Sequence, residues 1–498
     1  MASSYLANFS IITVLVELYT LYRSLLPSPL PGDPAGLAKW CSKQLEEHGS
    51  PICQALMGPL SKPVVLVAHV GQTRELLMRR SDFDRSSYII NRTSRSGLKD
   101  LLAPHYLHQT VGPIIHSLVL KLIHLWESKA RVANGKPFSM LDSALRRQIE
   151  FVEQLDSSQL VIGKHTDVTF PQAPLHLFQQ GLTDVGDRMA AIYTTKWPPS
   201  IVTSWARNIS PSYRKFFVGK DRFIRQHINL ALHRFSNEEQ PKAGIDYMIY
   251  REHKAAREFD RQPMYGKQIM IDEAYGNLIA GQHTTSAALV WILKLLAEHP
   301  AIQTRLRDEL QTVCVGAVQE CRLPTAAKII QSRLPYLDAV LEETLRLRAA
   351  MLVPRDATRN TELLGRPIPK GTVVLLVCQG PDYSSSPSSQ YWSEIKTSQR
   401  YPGGGNPDLE AFDPQRWLVQ NERGELEFDG SSYPQLAFGL GIRACWGRRL
   451  AQLEMRILTV MLTWKFDFLD VPEALAGHEA TYDISYRAKK GYLRLRSR

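Results

Sequence analysis

A lone cysteine in a glycine-bent loop, set directly ahead of a helix, constrains this 498-residue chain more than any other feature. The stretch reads Phe438-Gly439-Leu440-Gly441-Ile442-Arg443-Ala444-Cys445-Trp446-Gly447-Arg448. Two glycines before Cys445 let the backbone bend so that amide N–H groups aim at the sulfur. A helix starting just behind it adds the positive end of its dipole, which favours a thiolate. Arg443 offers a cation to an anionic group, and Phe438 shields the sulfur from water. Taken alone, a single cysteine is more often an inert buried hydrophobe. A rival pattern overlaps: Gly439-x-Gly441-x-x-Ala444, with a helix behind it and Asp467 about 20 residues on, fits the dinucleotide fingerprint of a nicotinamide-dependent dehydrogenase. That reading leaves no room for the rest of a doubly wound sheet and gives Phe438, Arg443 and Cys445 no task.

Two further constellations lie upstream. Glu343 and Arg346 stand one helical turn apart in Glu343-Thr-Leu-Arg346 and share a face. By default such a pair is solvated and contributes little. Phe412-Asp-Pro414-Gln-Arg416-Trp417 supplies another arginine. The longest helical run, Met270–Glu298, is closed by His299-Pro300 and contains Ala280-Gly281-Gln282-His283-Thr284-Thr285. Glycine inside a helix costs around 1 kcal/mol relative to alanine. Gly281 therefore marks a close ligand, a kink made by threonine bonding back to the backbone, or tight helix packing.

Together these motifs resemble the cytochrome P-450 family. Its cysteine-ligand loop carries Phe, Gly, Gly, Arg, Cys and Gly at the spacing of Phe438, Gly439, Gly441, Arg443, Cys445 and Gly447. The resemblance implies a mainly α fold with small β-sheets, and a b-type haem with Cys445 as axial thiolate to the iron. It implies a monooxygenase that inserts one atom of dioxygen into a hydrophobic small molecule. Phe438, Gly439, Gly441, Gly447 and Arg443 would then line the cofactor, with Arg355 of Val353-Pro354-Arg355 as a second partner for the haem propionates. Glu343, Arg346 and Arg416 would form a buried structural triad, in which losing one partner costs about 3–5 kcal/mol. Thr284 matches the threonine of the family's proton relay. His283 replaces the usual acid, a departure that imidazole chemistry can fill. Electrons would come from NADPH through a separate flavoprotein reductase. A haem-thiolate isomerase or dehydratase, and a catalytically impaired haem-binding member, remain open under the same resemblance.

A second departure lies between Ser81-Asp-Phe-Asp-Arg-Ser86 and Leu101-Leu-Ala-Pro104. There the family places a substrate-covering loop and a helix whose Trp and Arg hold a propionate. Here the stretch is short and has no tryptophan, leaving Arg92, Arg95 and Lys99 as substitutes. Either it is native or a coding segment is missing; substrate access and activity depend on it, and the fold does not.

Elsewhere the periodicity predicts strands at Ile52–Met57 and Pro63–Val70, then a helix through about Arg80. Further helices are expected over Leu107–Trp126, Ala144–Leu155, Leu175–Tyr193, Tyr213–Leu232, Ala301–Val313, Leu337–Leu347 and Arg448–Leu462, with β pieces at Leu363–Pro369 and Val373–Val377. Residues 1–26 read as a membrane anchor. Leu6–Leu26 has about the 20 residues a spanning helix needs. Its polar stripe of Ser10, Thr13, Glu17, Thr20 and Ser24 also suits a helix lying in the interface. Arg23, behind the apolar run, places the remainder on the cytoplasmic side. Residues 27–34 form a proline-rich hinge, and 35–498 one catalytic domain. The expected location is the endoplasmic reticulum, catalytic domain facing the cytoplasm, as in microsomal fungal-type members, many of which tailor secondary metabolites. Six cysteines without Cys-x-x-Cys spacing argue against a disulfide framework or zinc. A net charge of +11 suits an anionic membrane or an acidic partner. Dispersed Lys and Arg without a recognition motif argue against nucleic acid.

Overall fold

A computed structural model describes residues 36–56, 63–85, 102–140, 161–162, 167–169, 211–241, 243–348, 352–378, 408–433, 435–482 and 485–498. The expected anchor, the hinge, the helices at Ala144–Leu155 and Leu175–Tyr193, and Arg92, Arg95 and Lys99 lie outside the described residues. Among those described, no helix is long and apolar enough to cross a membrane.

The body is built on helices α1 (Gly36–Glu47), α2 (Val70–Met78), α3 (Gly112–Ala133), α4 (Pro211–Ser236), α5 (Gly244–Glu258), α6 (Gln268–Glu298), α7 (Pro300–Val313), α8 (Pro335–Arg348) and α9 (Arg448–Lys465). The second half of α6 is its axis: Trp291, Ile292, Leu293, Leu295 and Leu296 are all buried, as is Lys294 among them, so this helix is enclosed on every side there. Around it pack Leu337, Val340, Leu341 and Leu345 of α8 and Leu453, Ile457, Val460 and Met461 of α9, each set at helical spacing. Pro300, which cannot continue α6, opens α7 instead.

One mixed sheet joins β1 (Ile52–Leu56), β2 (Pro63–Val67), β3 (Phe83–Arg85), β4 (Leu352–Ala357) and β5 (Val373–Val377) in the order β1-β2-β5-β4-β3. In β2 the run Val64–Val67 is buried without alternation, as expected of an inner strand covered on both faces. Only β2 and β5 run parallel in this sheet, which is no part of a doubly wound dinucleotide fold.

Several elements escape the sequence reading, among them α1, β3, β4, α5 and a second sheet. In α5, Ile245, Met248, Ile249 and Ala256 turn inward, and the Asp246 carboxylate accepts the Ala243 N–H at 2.8 Å. The second sheet pairs Phe466–Leu469 with Tyr492–Ser497 and reaches Phe138–Ser139, Val168–Thr169 and Val161–Ile162. Its signal was present in Leu493-Arg-Leu495-Arg496, where the leucines are buried and the arginines exposed. The run is too short to stand out against a mostly helical chain.

Gln303 ties α6, α7 and this sheet together. Its buried amide donates to the carbonyls of Leu296 and Phe468, both at 3.0 Å, and accepts the Phe468 N–H at 2.9 Å. Gln303→Ala leaves those buried backbone groups unpaired and is expected to cost about 1–3 kcal/mol. A thermal midpoint unchanged from wild type would contradict this.

Candidate active site around the cysteine loop

The loop is shaped by two residues in left-handed backbone, Gly439 at φ +61° and Gly441 at φ +69°. At Gly441 a Cβ would fall 2.1 Å from the Leu77 carbonyl oxygen, so the loop lies directly on the end of α2. The Cys445 N–H closes the loop on the Phe438 carbonyl at 2.6 Å. The sulfur accepts the N–H groups of Gly447 and Arg448, at the start of α9. These amides come from behind the cysteine, where α9 begins. Those glycines bend the chain so that the sulfur meets the helix start. No strand leads into the loop and α9 begins only at Arg448, so the strand–turn–helix of the dinucleotide reading is absent.

Burial pushes the Cys445 thiol above its ordinary range, while the two N–H groups and the Arg448 charge pull it back. The residue is solvent-exposed and yet surrounded by protein, which is the position of a group lining a recess. The Arg448 guanidinium lies 5.5 Å over the Phe438 ring. All six cysteines are free.

On α6, the Thr284 hydroxyl donates to the Ala280 carbonyl at 2.7 Å. A Cβ on Gly281 would meet nothing within 4 Å, so helix packing does not require this glycine. Leu278, Ala280 and Gly281 are exposed, so the middle of α6 opens into space while its second half is core. His283 belongs to the same turn; its side chain lies outside the described residues. A contact the sequence did not suggest links α6 to α9. Thr285 is buried and hydrogen-bonds Glu454, whose carboxyl burial raises and this bond lowers. No local pattern connects residues so distant in the chain.

Glu343 is fully buried at the centre of the expected triad. Arg346 Nε donates to its Oε2 at 2.8 Å and Arg416 Nε to its Oε1 at 2.8 Å. Trp417 Nε1 and the Asp413 N–H add bonds at 2.9 and 3.2 Å. The structure brings these residues together as expected and adds Trp417, which had been read only as part of the motif.

The two arginines assigned to propionates are not brought together. Arg443 is held by Asp84 of β3. In the β3–β4 register Asp84 faces Asp356 and Arg85 faces Arg355, so Arg355 projects from the opposite face of the strand pair. It is buried and donates to the Pro354 carbonyl at 2.8 Å.

Among the described residues no group of three His, Cys, Asp or Glu could hold a metal ion. A single recessed sulfur with two N–H donors fits a metal that brings its other ligands with it, as an iron porphyrin does.

Comparison with known proteins agrees. The family model for Cytochrome P450 matches residues 176–387 and 406–479. The cytochrome P450 monooxygenase xilC of Penicillium crustosum is 66% identical over 542 aligned positions, covering 97% of this chain and 95% of the relative. Its namesake in Penicillium rubens is 63% identical over 544 positions, with the same coverage. A crystal structure of the cytochrome P450 CYP102L1 superposes with a TM-score of 0.64 at 17% identity, over 95% of this chain and 99% of that one. That likeness is one of fold alone. This chain belongs to the cytochrome P450 family. It is a monooxygenase of that family, and membership implies a haem-thiolate iron. Because 542 aligned positions exceed 498 residues, these relatives carry several tens of residues with no counterpart here.

Two outcomes follow from the charges. Glu343→Gln leaves the buried arginines without their anion and is expected to cost about 3–5 kcal/mol; wild-type unfolding behaviour in that variant would contradict it. Glu342 is buried, and burial lifts it from 4.5 to about 7, with Arg448 lowering and Asp338 raising it. Its folded value lies above the unfolded one. The associated stability is therefore full below 4.5 and lost as pH rises through about 7, at a slope on the order of 1 kcal/mol per unit. Unfolding midpoints measured from pH 4.5 to 8 are expected to show this slope, and Glu342→Gln to remove it.

Proposed function

We propose that Cys445 holds a b-type haem and that the enzyme oxidises a hydrophobic small molecule as a tailoring step in fungal secondary metabolism. The observation that carries this is the cradle of Cys445, a recessed sulfur receiving two backbone N–H groups beside a cation. Bound haem supplies the binding and activation of dioxygen, fed with two electrons from NADPH through a flavoprotein reductase.

The chain's own residues do the rest. Gly447, Arg448 and the dipole of α9 offset negative charge on the sulfur, and Phe438 covers it. Arg443 is assigned to a haem carboxylate, whereas Arg355, on the other face of the strand pair, is not. The Thr284 hydroxyl donates its hydrogen bond to the Ala280 carbonyl, so its oxygen stays open to accept a hydrogen bond from another donor beside Gly281. His283 is assigned as that donor. Glu343, Arg346 and Arg416 hold the surrounding fold. Leu6–Leu26 is assigned to anchoring the enzyme in the endoplasmic reticulum, with residues 27–34 as hinge and the body in the cytoplasm. The charge of +11 suits an acidic reductase surface.

One observation favours a second reading, a haem-binding member with impaired turnover: the several tens of positions its relatives have in excess.

Purified protein, reduced under carbon monoxide, is expected to give the red-shifted absorption band of a thiolate-ligated haem, and Cys445→Ala to lose it. A histidine-type band, or no haem, would sink the assignment of Cys445. A thiolate band without turnover selects the second reading. Turnover that needs neither reductase nor oxygen would replace oxidation by isomerase or dehydratase chemistry.

A further inference from the structure

The ion pair between Arg443 and Asp84 joins the cysteine loop to β3, at the edge of the mixed sheet. The carboxylate grips the guanidinium from one side. Nε donates to Oδ1 at 3.0 Å and Nη2 to Oδ2 at 3.2 Å. A guanidinium is a rigid plane with five N–H donors, so this two-point grip fixes its plane and direction while using one edge. Among the described residues Nη1 takes no other partner. The side chains are 37% and 51% exposed, so the free edge remains accessible.

This pair is not what holds the loop in place. Half-exposed ion pairs contribute little to stability. The loop is already seated by Gly441 against the Leu77 carbonyl and closed by the Cys445 N–H on Phe438. What the pair does control is the orientation of a long cationic side chain that otherwise samples many rotamers.

We infer that Asp84 is a positioning residue for cofactor binding, presetting Arg443 so that its Nη1 edge meets a carboxylate of the haem. The inference rests on the assignment of Arg443 to a haem carboxylate. Ordering a flexible side chain at the moment of binding weakens the complex, and a preset one avoids that loss. A second carboxylate beside the first also repels it. The sign of the effect therefore separates positioning from competition: without Asp84, positioning means weaker retention of haem and competition means tighter retention.

The test compares full-length wild type, Asp84→Asn, Asp84→Glu, Arg443→Gln and the double variant Asp84→Asn/Arg443→Gln. Each is loaded with haem or with haem dimethyl ester, whose carboxylates are blocked. Dissociation into excess apomyoglobin is followed by haem absorbance, with thermal unfolding of each apoprotein as a check on folding. Asp84→Asn is expected to release haem about two- to fivefold faster than wild type, the range set by a single exposed ion pair. Asp84→Glu should restore retention. The effect should vanish with the dimethyl ester and in the Arg443→Gln background. Equal or slower release from Asp84→Asn overturns the inference. Faster release that persists with the dimethyl ester also overturns it, because it marks a general loosening of the loop. Failure of wild type to take up haem would overturn the Cys445 assignment instead.

Discussion

Glu343 is a carboxylate with no access to water, and α8 and the segment 408–417 are arranged around compensating its charge. Desolvating such an ion costs several kcal/mol, and partners recover this only with good geometry. Here Arg346 comes from the same helix, while Arg416, Trp417 and the Asp413 amide come from a segment with little regular structure. Few arrangements of 408–417 satisfy all of those bonds at once. Arg416 also lies 5.0 Å from the Tyr433 ring, carrying the constraint toward the cysteine loop. A buried ion pair is weak evidence of added stability, but it narrows the set of compact states open to an otherwise loosely specified stretch.

Downstream of that anchor, Cys445 faces opposing demands. Enclosure by protein favours the neutral thiol, and the start of α9 favours the thiolate. The two left-handed glycines reconcile them. They turn the chain tightly enough for one sulfur to meet two amides, and Gly441 lets the loop approach the backbone of Leu77 where any side chain would collide. The same proximity brings the loop to β3, which makes Asp84 a neighbour of Arg443.

Much of this was legible in the residues. The cysteine loop and the Glu343 and Arg416 motifs stand where their spacing placed them, while the spacing around Gly281 left three readings open. Helix α6 begins and ends within a few residues of the predicted run because its apolar pattern is long and its end is marked by proline. What escaped were helices α1 and α5 and a set of short or distant features. The Leu493 and Leu495 strand is brief, and its stability comes from Phe466–Leu469 rather than from itself. The Thr285–Glu454 and Asp84–Arg443 contacts join segments that no local periodicity relates. The direction of the amides toward sulfur also required coordinates, because a bend does not reveal which N–H it presents.

The sequence by itself determined the chemistry available: one cysteine before a helix, a carboxylate with two arginines to neutralise it, and a threonine beside a helix glycine. These follow from residue type and spacing, which act over a turn or a loop. Only the tertiary structure decided which groups share each charge. It gave Arg443 to Asp84, turned Arg355 to the other face of the strand pair, and bound Glu454 to Thr285. Charge and hydrogen-bonding groups act on whatever lies within a few ångströms, and that neighbourhood exists only after distant segments have packed.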